Sequence, residues 1–165
     1  MRALAIRNAL IAGLFITAIA GLDSNAMAQE IPKQFDFSVS YSAVVSSEVA
    51  PLGEEDFAAA FIGNFIATND AGGAFMHNMF GKCAYAVVRA DGVLEMSGGC
   101  NYADGDGDQL YETFRLPPGG SGELAFIGGT GKFAGIRCTG KFSTQSRSQD
   151  RSMIIGKKTG SCELP

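Results

Sequence analysis

The apolar and polar positions of this chain mostly alternate with a period of two. The alternation is clearest over residues 35–45, where aspartate and serine separate the apolar side chains Phe35, Phe37, Val39 and Tyr41. Successive side chains of a strand point to opposite faces of the sheet. Residues 35–45 are therefore predicted to form a first strand with an aromatic face.

The same alternation, with the turn residues that interrupt it, places the other elements. Residues 57–68, 110–116 and 153–162 are predicted strands, and residues 74–80 are predicted to continue the sheet. Residues 57–62 also fit one turn of a helix. Loops are predicted over residues 46–56, 117–122 and 144–151, which are rich in turn-forming or charged residues. Helical periodicity is hard to find in the sequence, and the chain is therefore predicted to be all-β.

A glycine-dense turn between two alternating segments, residues 122–142, is the most distinctive stretch. Gly128, Gly129 and Gly131 can adopt positive φ without a Cβ clash, which predicts a tight reversal. The run lacks the spacing of a phosphate-binding loop and no helical pattern follows it, so a structural hairpin is favoured. Its second strand carries an apolar face made of Ile136, Cys138, Gly140 and Phe142.

The N-terminus has the pattern of a secretory signal peptide. Arg2 and Arg7 precede a short apolar run, and residues 26–28 are a small-x-small cleavage site. We expect residues 1–28 to be a signal peptide and residues 29–165 to be a single exported β-barrel domain, periplasmic or extracellular. The apolar run is shorter than the roughly 20 residues that a membrane-spanning helix needs, so no permanent span is expected.

The four cysteines of this short exported chain suggest disulfides. Asp91-Gly92 is a preferred sequence for a two-residue hairpin turn. Counting outward from that turn brings Cys83 opposite Cys100, at a non-hydrogen-bonded position where the Cα atoms are close enough for a bridge. The same register makes the cysteine face the more apolar one, as a core face should be.

The remaining cysteines, Cys138 and Cys162, would flank a hairpin whose turn lies near residues 149–151. A Cys138–Cys162 bridge is therefore the second predicted disulfide. Four free thiols or a zinc ion held by all four cysteines are the weaker alternatives, because no C-x2-C spacing occurs and export favours oxidation.

Two motifs resemble a known family. The string GGTGKFAG at residues 128–135 resembles a hairpin of the allene oxide cyclase and dirigent barrel superfamily, and Cys100 followed by DGDGD at residues 104–108 resembles its small secreted bacterial members. These motifs cover a limited central part of the chain. The resemblance implies a closed antiparallel barrel of eight strands with a partly apolar interior, here with disulfide-stapled hairpins, and it carries over no reaction. A strand close to the C-terminus agrees with barrel closure, which removes sheet edges.

Three aspartates at alternate positions, Asp104, Asp106 and Asp108, match the start of an EF-hand calcium loop. The match ends there, because Gln109 stands where the loop glycine belongs and Arg115 where the bidentate glutamate belongs. A Ca²⁺ site of another geometry and a plain acidic turn both stay open. No other cofactor is predicted.

The remaining composition disfavours two further classes of function. Without residues 1–28, the 13 basic and 17 acidic residues become 11 and 16, a net charge near −5 that disfavours nucleic acid as a partner. His77 is the only histidine, which leaves no His pair for a metal, and no G-x-S-x-G nucleophile motif accompanies it.

Three functions stay open. The first is a non-enzymatic binder of a small apolar or amphipathic ligand, held in the barrel by the predicted inward aromatics Phe35, Phe37, Tyr41, Phe65 and Phe142. The second is an isomerase or cyclase of the allene oxide cyclase type that uses carboxylates inside the cavity, although no acidic residue matches a catalytic position. The third is a structural module that forms homo-oligomers. A lined cavity favours the first two, and an interior filled by side chains favours the third.

Overall fold

The computed structural model describes residues 30–165, which form a closed barrel of eight antiparallel strands. Each strand pairs with its neighbours in sequence, and β1 pairs with β8 to close the barrel. The strands are β1 (Gln34–Pro51), β2 (Phe57–Asn69), β3 (Met79–Ala90), β4 (Val93–Ala103), β5 (Gln109–Leu116), β6 (Gly122–Gly129), β7 (Arg137–Arg147) and β8 (Met153–Glu163). The all-β, eight-stranded prediction is confirmed. The predicted signal peptide lies outside the described residues.

One end of the barrel is closed by an apolar plug. The β2–β3 connection contributes Phe75 and Met76, and the β6–β7 connection contributes Phe133 and Ile136, all of them buried. The ring centroid of Phe75 lies 5.4 Å from that of Phe126 on β6, in an edge-to-face arrangement. In the described part of the chain, the interior is open at the opposite end, where the connections that follow β1, β3, β5 and β7 lie.

The plug corrects the prediction that residues 74–80 continue the sheet. β3 begins only at Met79, and the preceding connection turns sharply, with positive φ at Met76 and Asn78. Burying two large apolar side chains in the end of the barrel outweighs the strand propensity of this segment, because β propensity depends strongly on tertiary context.

Two segments predicted to be loops are instead partly strand. β1 continues to Pro51, because residues 46–51 pair with the first half of β2. β7 likewise continues to Arg147 by pairing with β8. In both cases the backbone groups of a polar segment are satisfied by a neighbouring strand, and that neighbour is not visible in the local sequence pattern.

The glycine-dense turn is longer than the predicted tight reversal. A short 3₁₀-helix, Gly131–Phe133, and the residues after it lead from the end of β6 to β7. Gly131 has a φ of 51°, and a Cβ there would collide with the carboxylate of Asp108, so both the backbone and its neighbour require glycine. Nowhere in residues 30–165 is there a helix long and apolar enough to cross a membrane.

Both predicted disulfides are present in the barrel. Cys83 on β3 is bonded to Cys100 on β4, and Cys138 on β7 to Cys162 on β8, with Cα–Cα distances of 4.1 Å in each pair. The register predicted from the Asp91-Gly92 turn is also observed, since Cys83 pairs with Cys100 across the β3–β4 hairpin. Each hairpin is therefore joined covalently on its inner face.

Large inward side chains are accommodated by glycines on neighbouring strands. A Cβ added at Gly156 would overlap the phenol of Tyr41, and one added at Gly81 would overlap the ring of Tyr102. Small barrels commonly alternate small and large inward residues in this way. The pairing lets two tyrosines lie within an interior that would otherwise be too narrow for them.

Candidate ligand-binding site at the open end of the barrel

A cavity of about 180 Å³ extends from the open end into the barrel. Its wall is mostly aromatic and aliphatic, and its inner end is formed by a buried group of polar side chains. We define the aromatic wall as Phe61, Tyr85, Phe114 and Phe142, which lie on β2, β3, β5 and β7. The interior is therefore neither filled by side chains nor wide enough to be a channel.

The rings of the aromatic wall support one another. Phe61 and Tyr85 stack with centroids 4.9 Å apart and an interplanar angle of 3°. Phe114 makes edge contacts with Tyr85 at 5.7 Å and with Phe142 at 5.6 Å. Such aromatic pairs add roughly 0.5–1.5 kcal/mol beyond the burial of their area. The wall is therefore held in shape before any ligand enters.

The inner end of the cavity carries a buried ion pair, Lys158 on β8 and Glu112 on β5. The ammonium of Lys158 contacts Oε2 of Glu112, and the two side chains are only 4% and 1% exposed. Lys158 Nζ also donates a hydrogen bond of 2.8 Å to the hydroxyl oxygen of Tyr102. Each of these buried charges is compensated by the opposite charge of its partner, which is the condition for keeping an ammonium inside an apolar barrel.

Burial dominates the electrostatics of this group. Desolvation lowers the pKa of Lys158 below its usual value, and the carboxylate of Glu112 opposes that shift. Desolvation also raises the pKa of the Tyr102 hydroxyl well above 10.0, and the neighbouring charge of Glu112 raises it further. Tyr102 is thus a neutral phenol at physiological pH, available as a hydrogen-bond donor and acceptor.

Tyr41 connects the buried pair to the cavity. Its ring lies 5.4 Å from Nζ of Lys158, within the range of a cation–π contact. Its hydroxyl donates to the carbonyl oxygen of Ser143 at 3.3 Å, and it lines the cavity together with Phe65. The lining of the cavity therefore changes from the apolar wall to the polar inner end within the length of one or two side chains.

The predicted ligand contacts divide between the two ends of the barrel. Tyr41, Phe65 and Phe142 line the cavity. Phe35 and Phe37 lie at the closed end, where their rings contact Phe75 at 5.1 and 5.3 Å. The reason is that β1 runs the full length of the barrel, so its inward side chains near Gln34 reach the plug rather than the cavity.

Sequence reasoning missed the most unusual residues of the site, Glu112 and Lys158. A signal was present: each lies at an inward position of an otherwise apolar alternation, between Leu110 and Phe114 on β5 and between Gly156 and Gly160 on β8. A single charge on an apolar face indicates a partner of opposite sign. Which strand supplies that partner depends on barrel closure.

The acidic turn lies outside the cavity, at the closed end. The ammonium of Lys132 contacts Asp104 at 2.6 Å and Asp106 at 3.1 Å, and its backbone N–H donates to Asp108. Desolvation raises the pKa of Asp104, but hydrogen bonds from Lys132 and from two backbone N–H groups outweigh it, so the net shift is downward. The ammonium of Lys132 therefore supplies positive charge beside Asp104 and Asp106, at the turn for which a Ca²⁺ ion was considered.

Among residues 30–165, no three acidic, cysteine or histidine side chains are placed to share a metal ion. Calcium binding at this turn stays a prediction. A rise in melting temperature with added CaCl₂, lost when the three aspartates become asparagine, would support it, because a ligand bound only by the native state must raise stability. An unchanged melting temperature would remove it.

The same barrel occurs in two solved structures. The chain is similar to the pterocarpan synthase dirigent protein PsPTS1, with a TM-score of 0.53, 16% sequence identity, and coverage of 79% of this chain and 95% of that chain. It is also similar to the pterocarpan synthase dirigent protein GePTS1, with a TM-score of 0.50, 16% identity, and coverage of 81% and 92%. No protein-family model matches the chain, and no curated protein matches it. The likeness shows the fold, a dirigent-like eight-stranded barrel, and confirms that part of the predicted resemblance.

Proposed function

We propose that this protein is an exported, non-enzymatic binder of a small apolar or amphipathic molecule, which it holds in the cavity at the open end. The cavity is the observation that carries this proposal. It is enclosed by the aromatic wall, is open at one end, and ends in polar groups that could orient a ligand. Binding sites for small molecules are typically mostly apolar concavities with a few well-placed polar groups.

The volume of the cavity limits the size of the ligand. A cavity of about 150 Å³ lined by apolar side chains can hold benzene, and this cavity measures about 180 Å³. One aromatic ring with a short substituent therefore fits. A long acyl chain would leave most of its length outside the barrel, so a fatty-acid-sized ligand is disfavoured.

Export is the second part of the proposal. Both disulfides lie on the inner faces of hairpins, and such bonds persist in oxidising compartments. Fractionation of cells that express the full chain should place the protein in the periplasm or the medium, without residues 1–28. Retention of those residues in a cytoplasmic fraction would contradict export.

Two adjacent residues of β3 provide the test of ligand binding. Val87 is buried and lines the cavity, whereas Val88 points to the outer surface. Val87→Phe should fill part of the cavity and weaken binding of a one-ring probe such as benzyl alcohol or benzamide at least tenfold, while Val88→Phe should leave binding unchanged. Nuclear magnetic resonance titration measures both affinities. No shift of cavity resonances by any one-ring probe in the unmodified protein would refute the proposal.

An enzymatic role is the second candidate, favoured by Glu112, Tyr102 and Lys158 at the inner end of the cavity. A carboxylate, a phenol and an amine in one dry site could move protons during an isomerisation or cyclisation like that of allene oxide cyclase. The test is turnover of epoxide or enone probes, compared with Glu112→Gln. Turnover that survives this substitution unchanged would exclude Glu112 from the chemistry.

Self-association is the third candidate, favoured by an apolar row on the outside of the barrel. Ile66 on β2 pairs with Phe80 on β3, Ile155 on β8 lies one strand further with Ser42 of β1 between, and Phe80 is 66% exposed. A groove of about 550 Å³ beside this row is lined by no carboxylate, so a second copy of this acidic chain could approach without repulsion. Sedimentation should give an oligomer that Phe80→Glu dissociates. A monomer at high concentration would rule this role out.

A further inference from the structure

We propose that the cavity selects an anionic ligand, a one-ring aromatic carboxylate whose ring lies against the aromatic wall and whose carboxylate is held by Arg147 and Arg151 at the mouth. This inference rests on the proposed binding function and names the class of ligand. It starts from two arginines that line the cavity at its open end.

A β-bulge turns Arg147 toward the interior. Thr144 pairs with Gly156, but Ser146 then pairs with Ile155 and Arg147 with Ile154, so one extra residue, Gln145, is inserted in β7. Ile154 faces inward and Ile155 outward. In a regular ladder Ser146 would occupy the inward position. Bulges commonly re-aim side chains at barrel rims and next to sites.

The charge of Arg147 is felt by the tyrosines inside the mouth. Burial raises the pKa of Tyr85, and the guanidinium of Arg147 partly opposes that rise. Burial is also the main cause of the raised pKa of Tyr41, which the same guanidinium again opposes. Because these tyrosines lie on β3 and β1, the positive charge of Arg147, although the residue is exposed, is near enough to the mouth to act on both of them.

Arg147 and Arg151 differ from the other arginines of the described chain in having no partner. Arg89 pairs with Glu55, Arg115 with Glu123, and Arg137 donates to the carbonyl oxygen of Ile127. Within residues 30–165, neither mouth arginine makes an ion pair or a side-chain hydrogen bond. The carboxylate next to them in sequence, Asp150, accepts hydrogen bonds from Ser148 and Ser152 instead.

The charges that line the cavity therefore favour an anion. Lys158 is balanced by Glu112, and the two mouth arginines remain uncompensated on a chain whose formal net charge is −4. A positive mouth on a negative protein attracts anions selectively. The planar guanidinium matches a carboxylate in geometry, with two parallel N–H···O hydrogen bonds.

The test compares acids with their neutral isosteres. Benzoate and phenylacetate should bind about tenfold more tightly than benzamide and phenylacetamide, the order expected for a charge-assisted hydrogen bond at a partly exposed site. Arg147→Gln and Arg151→Gln should each reduce that preference, and the double variant should abolish it without changing the affinity for the amides. Raising NaCl from low to high concentration should weaken only the acids.

Arg115→Gln is the matched control, because Arg115 lies on the outer surface of β5 and is paired with Glu123. It should leave the acid preference intact, and an equal loss in this variant would show a general charge effect and overturn the inference. Equal affinity of the unmodified protein for acids and amides would also overturn it, while leaving the proposed binding function standing. Binding of neither class would instead refute the binding function itself.

Discussion

Lys158 and Glu112 face each other across the barrel interior, and each lowers the free-energy cost of burying the charge of the other. Two isolated charges in this position would be very costly, but the ion pair gives each charge its opposite, and the Glu112 carboxylate and the Tyr102 hydroxyl together occupy two of the three N–H donors of Lys158. A buried pair of this kind need not stabilise the fold relative to apolar residues of similar volume. Its cost appears when one partner is removed.

Lys158→Met should therefore lower the free energy of unfolding by about 3–5 kcal/mol, because it leaves the Glu112 carboxylate buried without a partner. The double variant Lys158→Met, Glu112→Leu should recover most of that loss. Chemical denaturation of the single and double variants measures both values. A double variant as unstable as the single one would show that the pair contributes more than mutual compensation.

Asp70 allows a pH prediction outside the cavity. It accepts hydrogen bonds from Ser38 at 2.5 Å and Ser40 at 2.6 Å and pairs with Lys157 at 3.1 Å, and these contacts, the serine bonds first, lower its pKa from 3.8 to about 2. A carboxyl whose pKa is lower in the folded state contributes stability above its unfolded pKa and loses it as the pH falls through the folded pKa.

Asp70→Asn should therefore lower the melting temperature by a few degrees at pH 7, since an exposed network of this kind contributes about 1 kcal/mol or less. The difference from the unmodified protein should shrink below pH 3.8 and be gone once the pH falls below about 2. Asp36→Asn, on the outer face of β1, is the control and should have little effect at any pH. A difference for Asp70→Asn that is constant with pH would contradict the assignment.

At the scale of elements, the bulge in β7 determines which side chain enters the mouth. Exchanging the two residues that follow the bulge, Ser146→Arg with Arg147→Ser, should keep the ladder with β8 and place the arginine opposite Ile155, on the outer face. Because the strand itself remains paired, we expect a folded barrel with a reduced preference for benzoate over benzamide. Circular dichroism and ligand titration measure these two properties.

Gln145→Ala is the matched variant for that exchange, because it keeps Ser146 and Arg147 at their positions and should keep the preference for the acid. If the exchanged variant folds and prefers benzoate as strongly as the unmodified protein, the inward position of Arg147 is not what directs its charge to the ligand. If Gln145→Ala loses the preference as well, the side chain of Gln145 and not the position of the arginine is responsible.

Strand pairing also explains which local predictions were correct. The β3–β4 register followed from a two-residue turn and a strict alternation, both of which are local, and it was confirmed down to the Cys83–Cys100 pair. The extents of β1 and β7 were underestimated, because polar residues 46–51 and the end of β7 are strands only through their partners. The local sequence pattern therefore predicts which face of a strand a residue lies on better than it predicts where the strand ends.

At the scale of the whole molecule, the two ends of the barrel differ in how they are packed. The plug of Phe75, Met76, Phe133 and Ile136 completes the core at the closed end, while the open end keeps a cavity at the expense of buried area. The disulfides lie on opposite sides of the barrel, in β3–β4 and β7–β8. Cys100 lines the cavity, whereas Cys162 pairs with Phe35 at the closed end.

Replacing either pair of cysteines by alanine should lower the free energy of unfolding by about 3 kcal/mol, with the two pairs nearly equal, because loop-closure entropy depends only on the logarithm of loop length. The bridges close segments of similar length, with sequence separations of 17 and 24. Denaturation in guanidinium chloride measures the loss. A loss below 1 kcal/mol for one pair would show that its hairpin is already ordered in the unfolded chain.

The sequence by itself determined the strand faces, one hairpin register, both disulfide pairs and the class of fold, because alternation, turn residues and spacing act over a few residues. Only the tertiary structure decided that Glu112 meets Lys158, that Phe35 and Phe37 lie in the closed end while Tyr41 and Phe65 reach the cavity, and that Arg147 turns inward. These depend on barrel closure and on a single inserted residue in one strand. Both bring together atoms from distant parts of the chain, and no local pattern records that.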